Sequence, residues 1–168
     1  MRQQESADLT DELLHAAEQV AARLRERRET VAVAESSAGG LITAALLAVP
    51  NASSYCMGGI VLYTRQSWRA LRDFDEGIFG GFRSGTETHA LIRARIARDR
   101  FSADWGIGET GATGPTGNRY GDPAGHACIA IAGRQERVKT LRTGANDRVA
   151  NMHAFAIAAL ALLEESLA

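Results

Sequence analysis

The sequence has little of two residue types that carry chemistry or crosslinks, lysine and cysteine. Of its 19 basic residues, Lys139 is the only lysine, and the rest are arginines. Because arginine stays protonated, a mechanism that needs a lysine base has a single candidate in the chain. The two cysteines, Cys56 and Cys128, lie inside apolar runs. This placement favours reduced core thiols over a disulfide or a metal pair.

A large net charge and long apolar runs are also missing. The net charge of −1 gives no overall attraction to nucleic acid or to anionic lipid. The apolar runs near the ends are broken by charges, so we expect no signal peptide, no membrane span and a cytoplasmic location. A chain of 168 residues buries roughly 70% of its unfolded surface as one domain, so no disulfide or metal is needed for folding.

The hydrophobic pattern predicts a polar N-terminal tail over residues 1–9 and one domain over residues 10–168. Predicted helices cover residues 10–28, 41–49, 64–74, 86–101 and 147–167, and predicted strands cover 30–34, 55–63, 103–108, 125–132 and 137–142. The segments 77–85 and 109–125 are rich in glycine and predict irregular loops. Strands that alternate with helices indicate a three-layer α/β/α sandwich. The two consecutive late strands make the predicted sheet mixed, although mostly parallel.

A polar turn, Glu35 to Gly40, follows the first predicted strand and begins the second helix. Ligands of α/β folds bind where loops leave the carboxyl ends of strands. The first amides of a helix are unpaired and can receive an oxyanion, a phosphate or a carboxylate. Spacing alone also fits a simple helix cap by Ser36 or Ser37, since the turn is neither a nucleophile elbow nor a phosphate loop.

A second glycine-rich segment, Thr110 to Gly117, leaves another strand end and can also cradle an anion. Segments of this composition are more often plain turns, so the pattern is weak evidence on its own. The four histidines show no spacing typical of metal ligands: His15, His89, His126 and His153. We interpret each as a surface or satisfied side chain and predict no metal.

Taken together, these segments resemble the CinA C-terminal domain family of nicotinamide-nucleotide amidohydrolases. Residues 34–40 resemble its A-E-S-C-T-G-G signature, and residues 58–64 are similar to G-G-x-x-x-Y-[ST]. Residues 110–115 match T-G-I-A-G-P, and residues 123–125 match P-V-G. Arg148 stands where the family has the arginine of G-D-R. The motifs occur in family order and span nearly the whole chain from about residue 10.

The resemblance implies a serine amidohydrolase that cleaves the carboxamide of nicotinamide mononucleotide, or of a related phosphorylated amide, without a cofactor. It implies Ser36 as the nucleophile with Tyr63 beside it and Thr110 as a further catalytic residue. Arg148 would pair with the nucleotide phosphate. The substrate-binding residues that it implies are Glu35, Ser37, Gly39, Gly40, Gly111, Gly114 and Arg148. It also implies a homodimer or a higher homo-oligomer, with a small nucleotide as the partner.

The sequence departs from the family at positions that matter for catalysis. The family lysine expected to activate the serine is Trp68, and the neighbouring family asparagine is Arg65. The second family arginine is Met152, and the lysine before P-V-G is Asp122. Ser37 and Ala38 replace the cysteine and threonine that follow the serine.

Three alternatives therefore stay open. The first is an active amidohydrolase in which another group, with Lys139 the first candidate, does the work of the lysine. The second is a catalytically silent nucleotide-binding or regulatory module. A purely structural partner domain is the weakest of the three, because it gives the polar turn residues no role.

Overall fold

The computed structural model describes residues 9–168. The helices are α1 (Asp11–Arg27), α2 (Leu41–Ala48), α3 (Arg65–Arg69), α4 (Glu87–Arg100) and α5 (Arg148–Ser166). The strands are β1 (Val31–Glu35), β2 (Cys56–Val61), β3 (Trp105–Ala112), β4 (His126–Ala132) and β5 (Glu136–Arg142). Two short 3-10 helices cover Ala52–Ser54 and Glu76–Phe79. None of the helices between residues 9 and 168 combines the length and the apolar character needed to cross a membrane.

The five strands form one mixed sheet in the order β2-β1-β3-β4-β5. Strand β1 pairs in parallel with both β2 and β3, while β4 pairs antiparallel with β3 and with β5. Four strands therefore run in one direction and only β4 runs in the other. The predicted mixed, mostly parallel sheet is confirmed.

Helices cover both faces of the sheet, which confirms the three-layer sandwich. Helices α1, α2 and α5 pack together on one face, and α4 crosses the other. The alternation of side chains along β1 divides the two cores. Val31 and Val33 join the core under α1, α2 and α5, whereas Ala32 and Ala34 join the core that contains Trp68 and Phe79.

The structure near the N-terminus agrees with the predicted helix, and most of the predicted tail lies outside the described residues. Thr10 caps α1 by accepting a hydrogen bond from the Leu13 amide at 3.2 Å. Residues 1–8 lie outside the described residues. Leu9, which the prediction assigned to the tail, is partly buried against the core of α1, α2 and α5.

Two sequence predictions near the cleft were wrong. The predicted helix 64–74 ends at Arg69; Asp73 has a left-handed φ of 57°, and the short Glu76–Phe79 helix follows. The predicted irregular segment from residue 109 begins instead with strand β3, which continues to Ala112. Pairing with β4 extends to Ala112 opposite His126 and supplies hydrogen-bond partners to this glycine- and threonine-containing segment.

Two glycines of β3 allow α4 to lie very close to the sheet. A Cβ atom at Gly106 would stand 1.9 Å from the carbonyl oxygen of Ala94, and one at Gly108 would stand 2.0 Å from that of Ala90. Both contacts involve backbone, which cannot rotate away. Because of this close approach, the first half of α4 reaches the carboxyl ends of β1 and β3.

We predict that Gly108→Ala lowers the free energy of unfolding by about 3 kcal/mol, because the added methyl overlaps the α4 backbone. Urea denaturation measures this loss. Gly144→Ala is the control: Gly144 has open space around its Cβ position but a left-handed φ of 73°, so it should cost only about 1 kcal/mol. Equal losses at the two positions would show that the close helix–sheet contact is not needed.

Candidate active site

The main cleft lies at the carboxyl ends of β1, β2 and β3, on the α4 face of the sheet. Its volume is about 650 Å³. Residues from three parallel strand ends reach it, together with α3, the Glu76–Phe79 helix, α4 and the loop around Tyr120. Its lining comprises Ser36, Tyr63, Thr64, Arg65, Trp68, Phe74, Glu76, Phe79, Gly81, Phe82, Arg83, Ser84, His89, Arg93, Thr110, Gly111, Asn118, Arg119 and Tyr120.

Ser36 lies on this lining and is only 7% exposed. The carboxylate of Glu109 fixes its backbone, since Oε2 of Glu109 accepts hydrogen bonds from the amides of Ser36 and Ala38, each at 2.9 Å. The Ser37 hydroxyl donates to the other oxygen of the same carboxylate. Ser37 therefore stabilises the turn through its hydrogen bond to Glu109, and it is not part of the cleft lining.

Glu35 is fully buried and caps α2. Its carboxylate accepts hydrogen bonds from the amides of Gly40 (3.0 Å), Ile42 (3.2 Å) and Thr43 (3.0 Å), and from the Thr43 hydroxyl (2.6 Å). Burial raises the pKa of the Glu35 carboxyl, and the hydrogen bonds from Thr43 oppose that shift. Glu35 thus holds the beginning of α2, and it does not line the cleft.

The carboxylates of Glu35 and Glu109 accept hydrogen bonds from most of the backbone amides that we had expected to be free to bind an anion. Of the eight amides from Ser36 to Thr43, five donate to Glu35 or Glu109, and those of Gly39 and Leu41 donate to nearby carbonyl oxygens. Seven of the eight are therefore satisfied within the protein. The expectation that the amides at the beginning of α2 receive a substrate anion was wrong for these seven.

Tyr63 and Thr110 reach the cleft from the neighbouring strands. The Thr110 hydroxyl oxygen accepts a hydrogen bond from the Gly85 amide at 3.1 Å. The Tyr63 hydroxyl accepts one from Arg148 at 3.0 Å, and Arg148 also donates to the carbonyl oxygen of Gly114 at 2.6 Å. Arg148 therefore stands behind Tyr63, at the beginning of α5.

Four of the residues implied by the resemblance share the cleft: Ser36, Tyr63, Thr110 and Gly111. The other six lie outside its lining: Glu35, Ser37, Gly39, Gly40, Gly114 and Arg148. Gly39 has a left-handed φ of 68° and faces Met152, whose Cε would lie 2.6 Å from an added Cβ.

Sequence reasoning missed two residues of α4 that line the cleft, His89 and Arg93. Arg93 is 2% exposed, and burial lowers its pKa to about 10. Its Nε donates to Nδ1 of His89 at 3.2 Å, and Nη1 donates to the carbonyl oxygen of Leu62 at 3.0 Å. The signal was available, because the spacing of four residues places both polar side chains on the apolar face of the helix.

Trp68 occupies the cleft where the family resemblance expects a lysine. Its ring lies 4.9 Å from Phe74 and 5.0 Å from Phe79, and the Arg93 guanidinium lies 4.7 Å from its centroid. The chain has ten aromatic residues, counting Trp, Tyr and Phe, and six of them line this cleft: Tyr63, Trp68, Phe74, Phe79, Phe82 and Tyr120. Several of these rings pack on one another, and Trp68 and Phe79 are only 6% and 9% exposed.

Positive charge dominates the same cleft. Four arginines line it, and the one acidic residue of the lining, Glu76, lies within 4 Å of Arg65 and Arg69. Asp122, where the resemblance expects a lysine, binds Arg83 through contacts of 2.6 and 3.2 Å. The hydrogen bond from Arg83 lowers the pKa of Asp122 to about 2. Asp122 thus positions an arginine at the rim.

The single lysine is far from the serine. Lys139 is exposed on the edge strand β5, opposite Ile129 of β4. Strands β4 and β3 separate it from β1, which corresponds to roughly 14 Å at the usual spacing of neighbouring strands. Lys139 is therefore not positioned to accept a proton from Ser36.

Both cysteines are buried and free, as their apolar surroundings predicted. No cluster of three or more His, Cys, Asp or Glu side chains suited to a metal ion occurs in the part of the chain that the structure describes.

Comparison with known protein families shows which family this chain belongs to. A model of the CinA C-terminal domain matches residues 13–167. The chain belongs to the CinA C-terminal domain family. A CinA-like protein of Prochlorococcus marinus is 40% identical over 112 residues, which cover 66% of this chain and 26% of that protein. One from Chlorobium limicola is 35% identical over 148 residues, 85% of this chain and 34% of that protein.

Solved structures of the CinA superfamily have the same fold. The competence/damage inducible protein of Agrobacterium tumefaciens gives a TM-score of 0.85 at 25% identity, covering 95% of this chain and 98% of that chain. The competence damage-inducible protein A of Klebsiella pneumoniae gives 0.84 at 26% identity, covering 92% and 96%. The curated CinA-like relatives are longer: this chain spans about a quarter to a third of their length.

We predict that His89 makes the protein sensitive to mild acid. Burial, followed by the charge of Arg93, lowers the pKa of His89 from 6.5 to about 3. In the unfolded chain, His89 therefore binds a proton near pH 6.5, whereas in the folded chain it stays neutral down to about pH 3. The free energy of unfolding therefore falls as pH drops from 6.5 toward 3. Between pH 7 and 4, the loss should be on the order of 3 kcal/mol.

Urea denaturation of the wild type and of His89→Gln across this range measures the effect. The curve of the variant should be flatter by that amount. His15→Gln, at an exposed position on α1, is the matched control and should follow the wild type. Parallel curves for the wild type and His89→Gln would contradict a neutral, buried His89.

Proposed function

We propose that this CinA-family chain is an amidohydrolase that cleaves the carboxamide of nicotinamide mononucleotide, or of a related phosphorylated amide, through Ser36. The observation that carries the proposal is the position of Ser36, at the end of β1 and on the wall of a cleft rich in aromatic rings and arginines. A ring that bears both a carboxamide and, through a sugar, a phosphate combines the features that such a cleft complements.

The distribution of rings and charges supports this choice of substrate. Arg83 and Arg119 lie 5.0 and 4.9 Å from the centroid of Tyr120, at the rim. Guanidinium groups bind phosphate with two parallel hydrogen bonds, so the rim suits the phosphate end of the ligand. Trp68 and Phe79 lie deeper, next to α4; both are largely buried, and they make the inner part of the cleft lining apolar.

The reaction follows from an attack by the Ser36 hydroxyl. Its Oγ bonds to the carboxamide carbon, and the electron pair of the C=O bond moves onto the oxygen. The electron pair then returns from the oxygen to re-form the C=O bond as the C–N bond breaks, which leaves an ester on Ser36, and the Ser36 proton passes through cleft water to the nitrogen, which leaves as ammonia. Water hydrolyses the ester, releases the acid and restores Ser36. The hydroxyls of Tyr63 and Thr110 lie on the same wall to orient the amide and the water.

The wild type should be slow, since its cleft has no lysine. Trp68 stands at the position of the expected base, and Lys139 is on the opposite edge of the sheet. A well-placed base contributes roughly 10² to 10⁴-fold in rate. The same two observations favour the second candidate function, a silent nucleotide-binding module that keeps the cleft and lacks turnover.

Turnover by Ser36→Ala tests the proposal. Wild-type protein incubated with nicotinamide mononucleotide should release ammonia and the corresponding acid in equal amounts, as measured by an ammonia assay and mass spectrometry. Ser36→Ala should lose turnover and still bind the nucleotide. If saturated with ligand at 100 times its Kd, it should gain roughly 2.7 kcal/mol in unfolding free energy.

Trp68→Lys serves as the matched gain-of-function variant. It should raise the rate above that of the wild type, provided that circular dichroism shows a folded protein, since removing the indole leaves a cavity. Full turnover by Ser36→Ala would exclude Ser36 as the nucleophile. Nucleotide binding without ammonia release, in both the wild type and folded Trp68→Lys, would favour the silent module.

A further inference from the structure

The proposed reaction places negative charge on the carboxamide oxygen, and the turn that carries Ser36 has little left to stabilise that charge. Seven of the eight amides from Ser36 to Thr43 are already hydrogen-bonded within the protein. Enzymes of this kind require donors aimed at the developing oxyanion. The amide of Ser37 is the one left over in this turn and can supply one donor, so any further donor must come from another wall of the cleft.

Helix α4 presents such donors on the cleft lining. Arg93 is buried, yet no carboxylate between residues 9 and 168 lies within 4 Å of its guanidinium. The charge of Glu109 acts on Arg93 from beyond contact distance and raises the pKa that burial lowers. Burying a charge without an opposite partner in contact is costly. Its placement on the cleft wall is explained if the partner is an anion that forms on the ligand.

The hydrogen bond between Arg93 and His89 determines the proton position on the imidazole. Nε of Arg93 can only donate, so Nδ1 of His89 accepts and the ring proton of neutral His89 lies on Nε2. Phe79 stacks on this ring at 4.0 Å with an interplanar angle of 5°. The ring is thus held as a neutral donor whose Nε2–H is not used by another side chain among the described residues.

We propose that the His89 Nε2–H and the Arg93 guanidinium stabilise the negative charge on the carboxamide oxygen when Ser36 attacks. The proposal rests on the amidohydrolase function. His89 keeps its proton throughout and acts as a hydrogen-bond donor, not as a base. Arg93 acts twice, because its charge attracts the oxyanion and its Nε–H fixes the tautomer of His89.

The first test separates transition-state stabilisation from ground-state binding. In ammonia-release kinetics, His89→Leu should lower kcat by about 10² to 10³-fold and change KM by no more than about threefold. His89→Gln keeps an N–H donor and should recover at least part of the loss. Arg93→Lys keeps the charge but leaves the tautomer unfixed, and should also lower kcat. Arg95→Met, on the solvent side of the same helix, is the matched control.

The second test does not depend on turnover. Long-range ¹H–¹⁵N NMR of wild-type protein should show His89 as the neutral Nε2–H tautomer at pH 7. The probe 3-pyridylboronic acid forms a tetrahedral anion with an active-site serine. Its Kd should rise at least about tenfold in His89→Leu, whereas the Kd of nicotinamide mononucleotide, measured in a Ser36→Ala background, should not change.

The outcomes are distinguishable. A protonated His89 at pH 7, an Nδ1–H tautomer, or unchanged kcat and boronate binding in His89→Leu would overturn this role while leaving the amidohydrolase function intact. Neither ammonia release nor a boronate adduct in the wild type would overturn the amidohydrolase function, and this role with it.

Discussion

The binding of two buried carboxylates to the backbone of one turn is the interaction on which the candidate site depends. Glu35 is the last residue of β1 and Glu109 lies within β3, and together they accept hydrogen bonds from five amides and two hydroxyls. Because side chains alternate along a strand, Ser36 and Thr110 then point to the opposite face. One constraint thus sets both the shape of the turn and the side on which its serine is presented.

As a result, the two walls of the cleft, the strand ends on one side and α4 on the other, supply different chemical groups. The strand ends supply hydroxyl groups, while their amides are occupied in holding the turn. Positive charge comes from Arg93 of α4, which lies against Trp68, and from Arg83 at the rim, which Asp122 holds. Gly106 and Gly108 make this possible, since only glycine lets α4 lie so close to β3.

The sequence predicted the layers, the mixed sheet and the serine turn, because strand and helix periodicity and the family motifs all lie in contiguous segments. It also placed Ser36, Tyr63 and Thr110 where three strand ends meet. It could not assign Glu109, since the amides and the hydroxyl that this carboxylate binds lie far along the chain. Glu109 was predicted to lie in an irregular loop, and its partner Ser36 is 73 residues away. The family motif predicted Glu35 as a ligand-binding residue, whereas its partners are the Thr43 hydroxyl and amides at the beginning of α2, the helix that follows its strand.

The most direct test of this account is the stability of Glu109 variants in urea denaturation. Glu109→Ala should lower the free energy of unfolding by about 3 kcal/mol or more, because it leaves the buried amides of Ser36 and Ala38 without an acceptor. Glu109→Gln should keep most of the stability, since its carbonyl oxygen can accept both amides while its NH₂ donates to Ser37. Wild-type stability in Glu109→Ala would contradict the claim that this carboxylate holds the turn.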